Sequence, residues 1–346
     1  MAGIVRRQRF YFSSKELSLS QPKKLQPALW IIPDMTASYK ASLTEYFEDL
    51  GMDPWARKPQ TNTHVQKQKK KSVNKRLKYG HFGTLDPFAT GLLPIGFGHG
   101  TKFGDLLPLQ TKTYSARLQL GVATDSDDLK GKEIERGPSD WKMPSAEVVQ
   151  ALCEEHFLGD ILQTPPMYSA IRVDGERAYK KARRGEEVKM KPRKAFVHDI
   201  TSRIISPTVI EFDVTAAAGL YVRTVGSDLA RKLGTCGHLI GLRRTAMGAV
   251  RLDSFGSNKA LLMDLFDLFG QFPRVRSKYD LQTTCTRLAQ SVSVAKMLDK
   301  RDTNLKPGTF ATIYADDVPL CLIEFHPHGH SKIKLNFVPS TLLEMP

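Results

Sequence analysis

Residues 80 to 91 read Gly80-His81-Phe82-Gly83-Thr84-Leu85-Asp86-Pro87-Phe88-Ala89-Thr90-Gly91. The glycines permit tight turns and close approach of the backbone to a ligand. Asp86-Pro87 on its own is an ordinary turn start. What surrounds the stretch decides between a turn and a carboxylate presented to a substrate. Upstream, Lys67 to Lys78 carries Lys67, Lys69, Lys70, Lys71, Lys75, Arg76 and Lys78. A run of like charge is usually a solvated loop or a localisation signal, but its position directly before Gly80 favours phosphate contact. Downstream, Tyr114, Ala116, Leu118 and Leu120 alternate with polar residues, as do Ile210, Phe212 and Val214, and both segments are predicted strands. Val225, Leu229 and Leu233 repeat every four residues, and Gly234 follows as a helix-stop signal. Strands of both kinds among helices predict an α/β (α+β) fold, a mixed and largely antiparallel sheet flanked by helices rather than a doubly wound parallel one.

Charge narrows the partner. Fifty-one basic residues against 36 acidic give a net +15 over 346 residues, a field that attracts a polyanion, so RNA or DNA is the leading partner class. A second basic region, Arg172 to Lys194, sets Arg177, Lys181 and Arg184 at helical spacing along one side. Arg243 and Arg244 form a third. No apolar run reaches the ~20 residues that cross a bilayer, and no basic helix with a broad apolar face points to a membrane surface.

From Gly80 onward the string resembles the GHxGTLDPxATG signature of TruB-type pseudouridine synthases. The likeness continues through Leu93-Pro94-Ile95-Gly96, Gly100-Thr101-Lys102, Lys112-Thr113-Tyr114 and Thr124-Asp125-Ser126-Asp127 with Gly131. It runs on through Gln163-Thr164-Pro165-Pro166-Met167-Tyr168-Ser169-Ala170, Gly219-Leu220-Tyr221-Val222-Arg223-Thr224 and Leu242-Arg243-Arg244. The resemblance implies a pseudouridine synthase fold in which Asp86 is the nucleophile and Tyr114 stacks on the target base and is placed for proton transfer. It also implies that Arg223 pairs with Asp86, that Tyr221 lines the same pocket and that His81 helps open the RNA loop. Two departures stand out. The family's first motif is reduced to Ile32-Pro33-Asp34-Met35-Thr36-Ala37-Ser38, without its lysine and glycine, and Phe82 fills a position usually small or threonine.

The chemistry asks for such groups. Converting uridine to pseudouridine breaks the C1′–N bond and joins C5 to the sugar, so an ionised carboxylate must attack or stabilise the ribose. A guanidinium beside it favours the charged form and fixes its direction. The base must leave its neighbours in the RNA, and an aromatic face restores the stacking it gives up. No nucleotide cofactor is expected: Gly96 to Lys102 has neither the spacing of a phosphate-binding P-loop nor that of GxGxxG. The four cysteines lie far apart with no CxxC pair, which favours a reducing compartment and suggests neither a disulfide framework nor a zinc ribbon. His326, His328 and His330 read as a turn rather than a metal site.

Three regions are expected. Residues 1–26, with Arg6, Arg7, Arg9 and Lys15, read either as a mitochondrial presequence or as a basic RNA-binding arm, with the nucleus or cytoplasm as the alternative location. Residues 27–258 form the catalytic region, with a lysine-rich insertion over about 40–79. Residues 259–346 begin with a helical stretch, Ala260 to Phe269, and end in three strand-like runs resembling a small PUA-type RNA-binding domain. Two functions fit this pattern: a tRNA pseudouridine synthase acting on the T-arm loop, or an RNA-binding factor in ribosome (rRNA) assembly with the same fold and catalysis secondary. Asp86, Tyr114, Tyr221 and Arg223 carry the first. His81, Phe82, Lys69, Lys70, Lys71, Arg177, Lys181, Arg184 and Arg243 are candidate RNA contacts.

Overall fold

The computed structural model describes residues 29–32, 79–107, 109–186, 188–254, 261–263, 265–270, 272–290, 293–299, 305–326 and 331–336. The N-terminal arm and Lys67 to Lys78 lie outside them, as do residues 33–38 and 327–330.

The centre is a seven-stranded sheet in the order Val250–Arg251, Gly237–Met247, Lys112–Leu120, Val209–Ala216, Arg193–Ser206, Gly159–Gln163, with Thr90–Gly91 joined to Gly237–Met247 off that path. All its pairings are antiparallel except that of Thr90–Gly91, which runs parallel. The period-two pattern sets its faces. Ala116, Leu118, Leu120, Ile210, Phe212 and Val214 are buried against Val149, Cys153 and Phe157 of the helix Ala146–Phe157 and Val222, Val225 and Leu229 of the helix Val222–Lys232. Gly226 lets that second helix come close, since a Cβ there would lie 2.7 Å from Leu239 Cδ2.

A four-stranded sheet, Leu261–Met263, Leu29–Ile32, Leu93–Phe97, Tyr79–His81, supports the Asp86 loop from its other end. Leu29–Ile32 keeps its pairing with Leu93–Phe97 even though the motif that follows it is degraded. The helix expected over Ala260 to Phe269 is shorter than read: Leu261–Met263 is a strand paired with Leu29–Ile31, and only Leu265–Gly270 is helical. A backbone needed to close a sheet edge overrides local helical preference there.

The C-terminal sheet, Arg274–Arg276, Phe310–Ala315, Val318–Glu324, Lys332–Asn336, forms the small β-rich, PUA-like domain expected from the three strand-like runs. Its Leu322 and Leu335 share an apolar cluster with Leu92, Phe103, Leu268 and Phe269 and with Met247 and Val250 of the central sheet, so the C-terminal sheet packs into one core with that end of the central sheet.

Candidate active site

Tyr114 sits where the helical cover of the central sheet stops. It follows the parity that buries Ala116 and Leu118, but it is only partly buried and opens onto a cleft of about 900 Å³. Asp86, Tyr114, Tyr221 and Arg223 all line this cleft. The turn implied by Asp86-Pro87 is present, with the Ala89 amide donating to the Asp86 carbonyl at 2.9 Å. Turn and site are therefore the same feature: the turn leaves the carboxylate free to project.

Arg223 lies in the first turn of the helix Val222–Lys232 and is 3% exposed. Its Nε donates to Asp86 Oδ2 at 2.8 Å and its Nη2 to Asp86 Oδ1 at 3.3 Å. Nη2 also donates to the Tyr168 carbonyl at 2.9 Å, and Nη1 donates to the Ser126 carbonyl at 2.7 Å and to Asp128 Oδ2 at 3.4 Å. A guanidinium has five N–H donors in a fixed fork, and here each has a partner. That leaves Arg223 one orientation. Asp86 is held by a side chain that cannot turn away, while its own side chain stays 32% exposed to the cleft.

Asp128, which sequence reasoning did not single out, is the second carboxylate on Arg223. It is itself fixed by Ser126 Oγ at 2.8 Å and the Lys130 amide at 2.9 Å. Beside it, Asp127 adopts φ +56° and passes its carbonyl to the Leu239 amide. Burial pushes the Asp127 carboxyl up to about 6, against the pull of nearby Arg223. Folded Asp127 therefore holds its proton at a pH where the unfolded group, near 3.8, has lost it. Stability then falls as pH rises between about 4 and about 6 and stays lowered above that window. Asn tolerates the left-handed backbone. Asp127→Asn is therefore expected to match the parent in urea unfolding near pH 4 and to exceed it by up to roughly 3 kcal/mol above pH 6. An advantage of equal size at both pH values would contradict this account.

Tyr221 is fixed through its backbone: its amide donates to Gln163 Oε1 at 2.9 Å and its carbonyl accepts from Gln163 Nε2 at 3.0 Å. Burial raises the Tyr221 phenol above its ordinary range, so it stays protonated. Gln163 is 3% exposed and belongs to the string Gln163 to Ala170, whose role the sequence does not reveal.

Arg244, the second member of the third basic pair, is fully buried. Its Nε donates to the Leu92 carbonyl at 2.8 Å, Nη2 to Gly83 at 3.1 Å and Nη1 to Thr84 at 3.4 Å, bracketing the Asp86 loop from behind. Gly91 makes the bracket possible, since at φ +100° a Cβ would lie 2.2 Å from the Arg244 carbonyl oxygen. Arg243 donates to Thr90 Oγ1 at 3.2 Å.

The second basic region also departs from the helical reading. Residues Arg172–Val173 and Glu176–Arg177 form a hairpin turning at Asp174 and Gly175, both at positive φ, and only Ala178–Arg183 is helical. Arg177, Lys181 and Arg184 therefore do not share one side of a helix. Arg177 donates to the Ala170 carbonyl, Lys181 pairs with Asp174, and Arg184 pairs with Glu176 and Glu186. The few acids between the cations are enough to take up two of the three. Besides Arg223, the cations that line the cleft are Lys112, Lys130, Lys132 and Arg183, the last lying over the Tyr179 ring at 5.4 Å. His81 is exposed and Phe82 half-buried. Both line a separate, smaller cavity rather than the Asp86 cleft. Phe82 packs against Gly96 and Gly104, which explains how a large residue fits: neither neighbour has a side chain to displace. Among the described residues there is no cluster of metal-ligating side chains.

Residues 69–222 match the model of the TruB family pseudouridylate synthase N-terminal domain. A tRNA pseudouridine synthase B of Hydrogenovibrio crunogenus is 40% identical over 193 residues, 55% of this chain and 62% of its own length. Those of Bordetella avium and Parabacteroides distasonis are each 40% identical over 78% and 83% of their own lengths, 56% and 58% of this chain. The chain belongs to the TruB family of pseudouridine synthases. The fold agrees: a chain in the archaeal box H/ACA sRNP Nop10–Cbf5 complex superposes with a TM-score of 0.51 over 88% of this chain and 82% of that one, at 18% identity. A chain of an H/ACA RNP bound to a substrate RNA containing 2′-deoxyuridine gives a TM-score of 0.50 over 92% and 81%, at 17% identity. Within the TruB family match lie Asp86, Tyr114, Asp128 and Tyr221, with Arg223 one residue beyond its end.

Proposed function

We propose that this chain isomerises uridine to pseudouridine in RNA, acting on the T-arm loop of tRNA, with Asp86 as the nucleophile. The observation that carries the reading is the Asp86–Arg223 pair, two hydrogen bonds from a buried guanidinium to a carboxylate that remains open to a cleft. A carboxylate so held can meet the ribose C1′ without reorienting, and preorganisation of this kind is where such chemistry gains most. The C1′–N bond breaks as Asp86 takes the sugar carbon or stabilises its positive charge. The uracil turns, C5 attacks C1′ as the Asp86 carboxylate departs, the hydrogen on C5 is lost as a proton, and N1 takes one up. Tyr114, at the cleft wall and partly exposed, offers the flipped base a stacking face and a hydroxyl for that proton's transfer. The names of the relatives, tRNA pseudouridine synthase B, support tRNA as the substrate class.

The test is a map of pseudouridines in mitochondrial and cytoplasmic RNA from cells with and without the gene. The expected result is loss of one T-arm pseudouridine. Mitochondrial import, proposed from the arginine-rich first residues, predicts that loss in mitochondrial tRNA. Loss confined to rRNA, or none, would favour the assembly-factor reading.

The run Lys69, Lys70 and Lys71 lies upstream of the Asp86 loop, in the basic segment that ends at Lys78. Its replacement by alanine is expected to weaken RNA binding and flatten the dependence of log affinity on log salt by roughly 0.7 to 0.9 per phosphate no longer contacted. An unchanged salt slope would make the run a solvated loop or a localisation signal.

A further inference from the structure

The Asp86 cleft has a neighbour. A cavity of about 370 Å³ lies against the first half of the same loop, with His81, Gly83, Asp105, Gln110 and Lys112 among its lining residues. Lys112 is the one residue common to both linings. It stands two residues before Tyr114 on the strand Lys112–Leu120, hence on the same face and about 7 Å away along the chain. Arg244 is the cross-strand neighbour of Tyr114 and shares that face too.

The two cations converge. A Cβ built on Gly83 would lie 3.3 Å from Lys112 Nζ and 3.4 Å from Arg244 Nη1, and Gly83, at φ +121°, has none. Neither cation is paired with a carboxylate among the described residues: Arg244 is spent on the carbonyls of Leu92, Gly83 and Thr84. The nearby acids do not neutralise them. Asp86 is engaged by Arg223, and Asp105 is exposed at the rim of the second cavity. Burial, then repulsion from Arg244, holds the Lys112 ammonium below the usual lysine range. Like charges gathered in a partly dry corner cost free energy that an anion would recover.

We propose that Lys112, backed by Arg244, binds a backbone phosphate of the RNA adjoining the target uridine, with a phosphate oxygen drawn to the Lys112 ammonium where the two cations converge beside Gly83. This rests on the reading of the chain as an RNA-modifying enzyme. The uridine then occupies the Asp86 cleft, and the strand leaves through the second cavity past His81 and Gln110. Phosphate contact at this point fixes which nucleotide is delivered to Asp86, because Lys112 and Tyr114 are spaced by one strand repeat.

The test uses a tRNA T-arm stem-loop and the full chain. Lys112→Gln is expected to lower equilibrium affinity about ten-fold at low salt and to flatten the salt slope by roughly 0.7 to 0.9, while Lys112→Arg keeps most of both. In stem-loops carrying one neutral methylphosphonate at each linkage in turn, a linkage beside the target uridine should weaken binding to the unmodified protein by a similar factor. The same linkage should have no further effect on Lys112→Gln. If Lys112→Gln does not fold, the methylphosphonate scan on the unmodified protein decides alone: no sensitive linkage beside the uridine overturns the assignment. So does an unchanged salt slope in a folded variant, or a methylphosphonate effect that simply adds to that of Lys112→Gln. Failure of the unmodified protein to bind the stem-loop would sink the RNA reading as well, whereas tight binding insensitive to Lys112 sinks this assignment only.

Discussion

Asp86→Asn should reduce single-turnover pseudouridine formation by roughly 10⁴-fold or more, the scale on which removal of a nucleophile acts, while RNA affinity stays within a few-fold. The asparagine is nearly isosteric and can still accept one hydrogen bond from Arg223, so the loop is expected to hold its shape. What disappears is the charge proposed to attack C1′. Affinity should be spared because the proposed phosphate contacts lie elsewhere and Asp86, itself an anion, adds no attraction to a phosphate backbone. Turnover near that of the parent, in a variant whose melting and circular dichroism are unchanged, would remove Asp86 from the mechanism.

Arg223→Met is expected to be the most damaging single change to stability and to lower the rate as well. It deletes five hydrogen bonds and leaves Asp128 buried without its countercharge, and breaking a buried pair from one side costs about 3–5 kcal/mol. Urea unfolding should show that destabilisation. Asp128→Asn in the same chain should recover part of the stability, because the stranded carboxylate is gone, but none of the rate, because Asp86 remains unheld. Arg223→Lys keeps the charge and gives up the fork, so it should retain more stability than Arg223→Met while the chemical step stays far below that of the parent. A lysine variant with full activity would show that charge alone suffices and that the two-pronged grip on Asp86 is incidental.

Much of this frame was legible in the sequence because it is periodic. Tyr114, Ala116, Leu118 and Leu120 share a face by strand parity, and Val225, Leu229 and Leu233 share one by helical repeat, so the sheet and its covering helix follow from spacing. The pairing of Arg223 with Asp86 spans 137 residues and came only from resemblance. Asp128 was not legible for a related reason. Nothing in Thr124 to Gly131 distinguishes the carboxylate that reaches the buried guanidinium from Asp125 and Asp127, until the turn at positive φ fixes which one points inward. Charge misled most. Arg244 counts toward a basic surface in any tally, yet it is buried on carbonyl oxygens that no composition reveals, and Arg184 is consumed by Glu176 and Glu186 across a hairpin that helical spacing hides.

The central claim, that this site moves uracil from its nitrogen to its C5 linkage, has a direct chemical readout. Joining C5 to C1′ expels the hydrogen on C5. A tRNA transcript labelled with tritium at C5 of its uridines, incubated with the purified chain and no added cofactor, should therefore release tritium equivalent to one uridine per molecule. A transcript whose T-arm uridine is replaced by cytidine should release none. No release from the unmodified transcript, or equal release from both, would contradict the account.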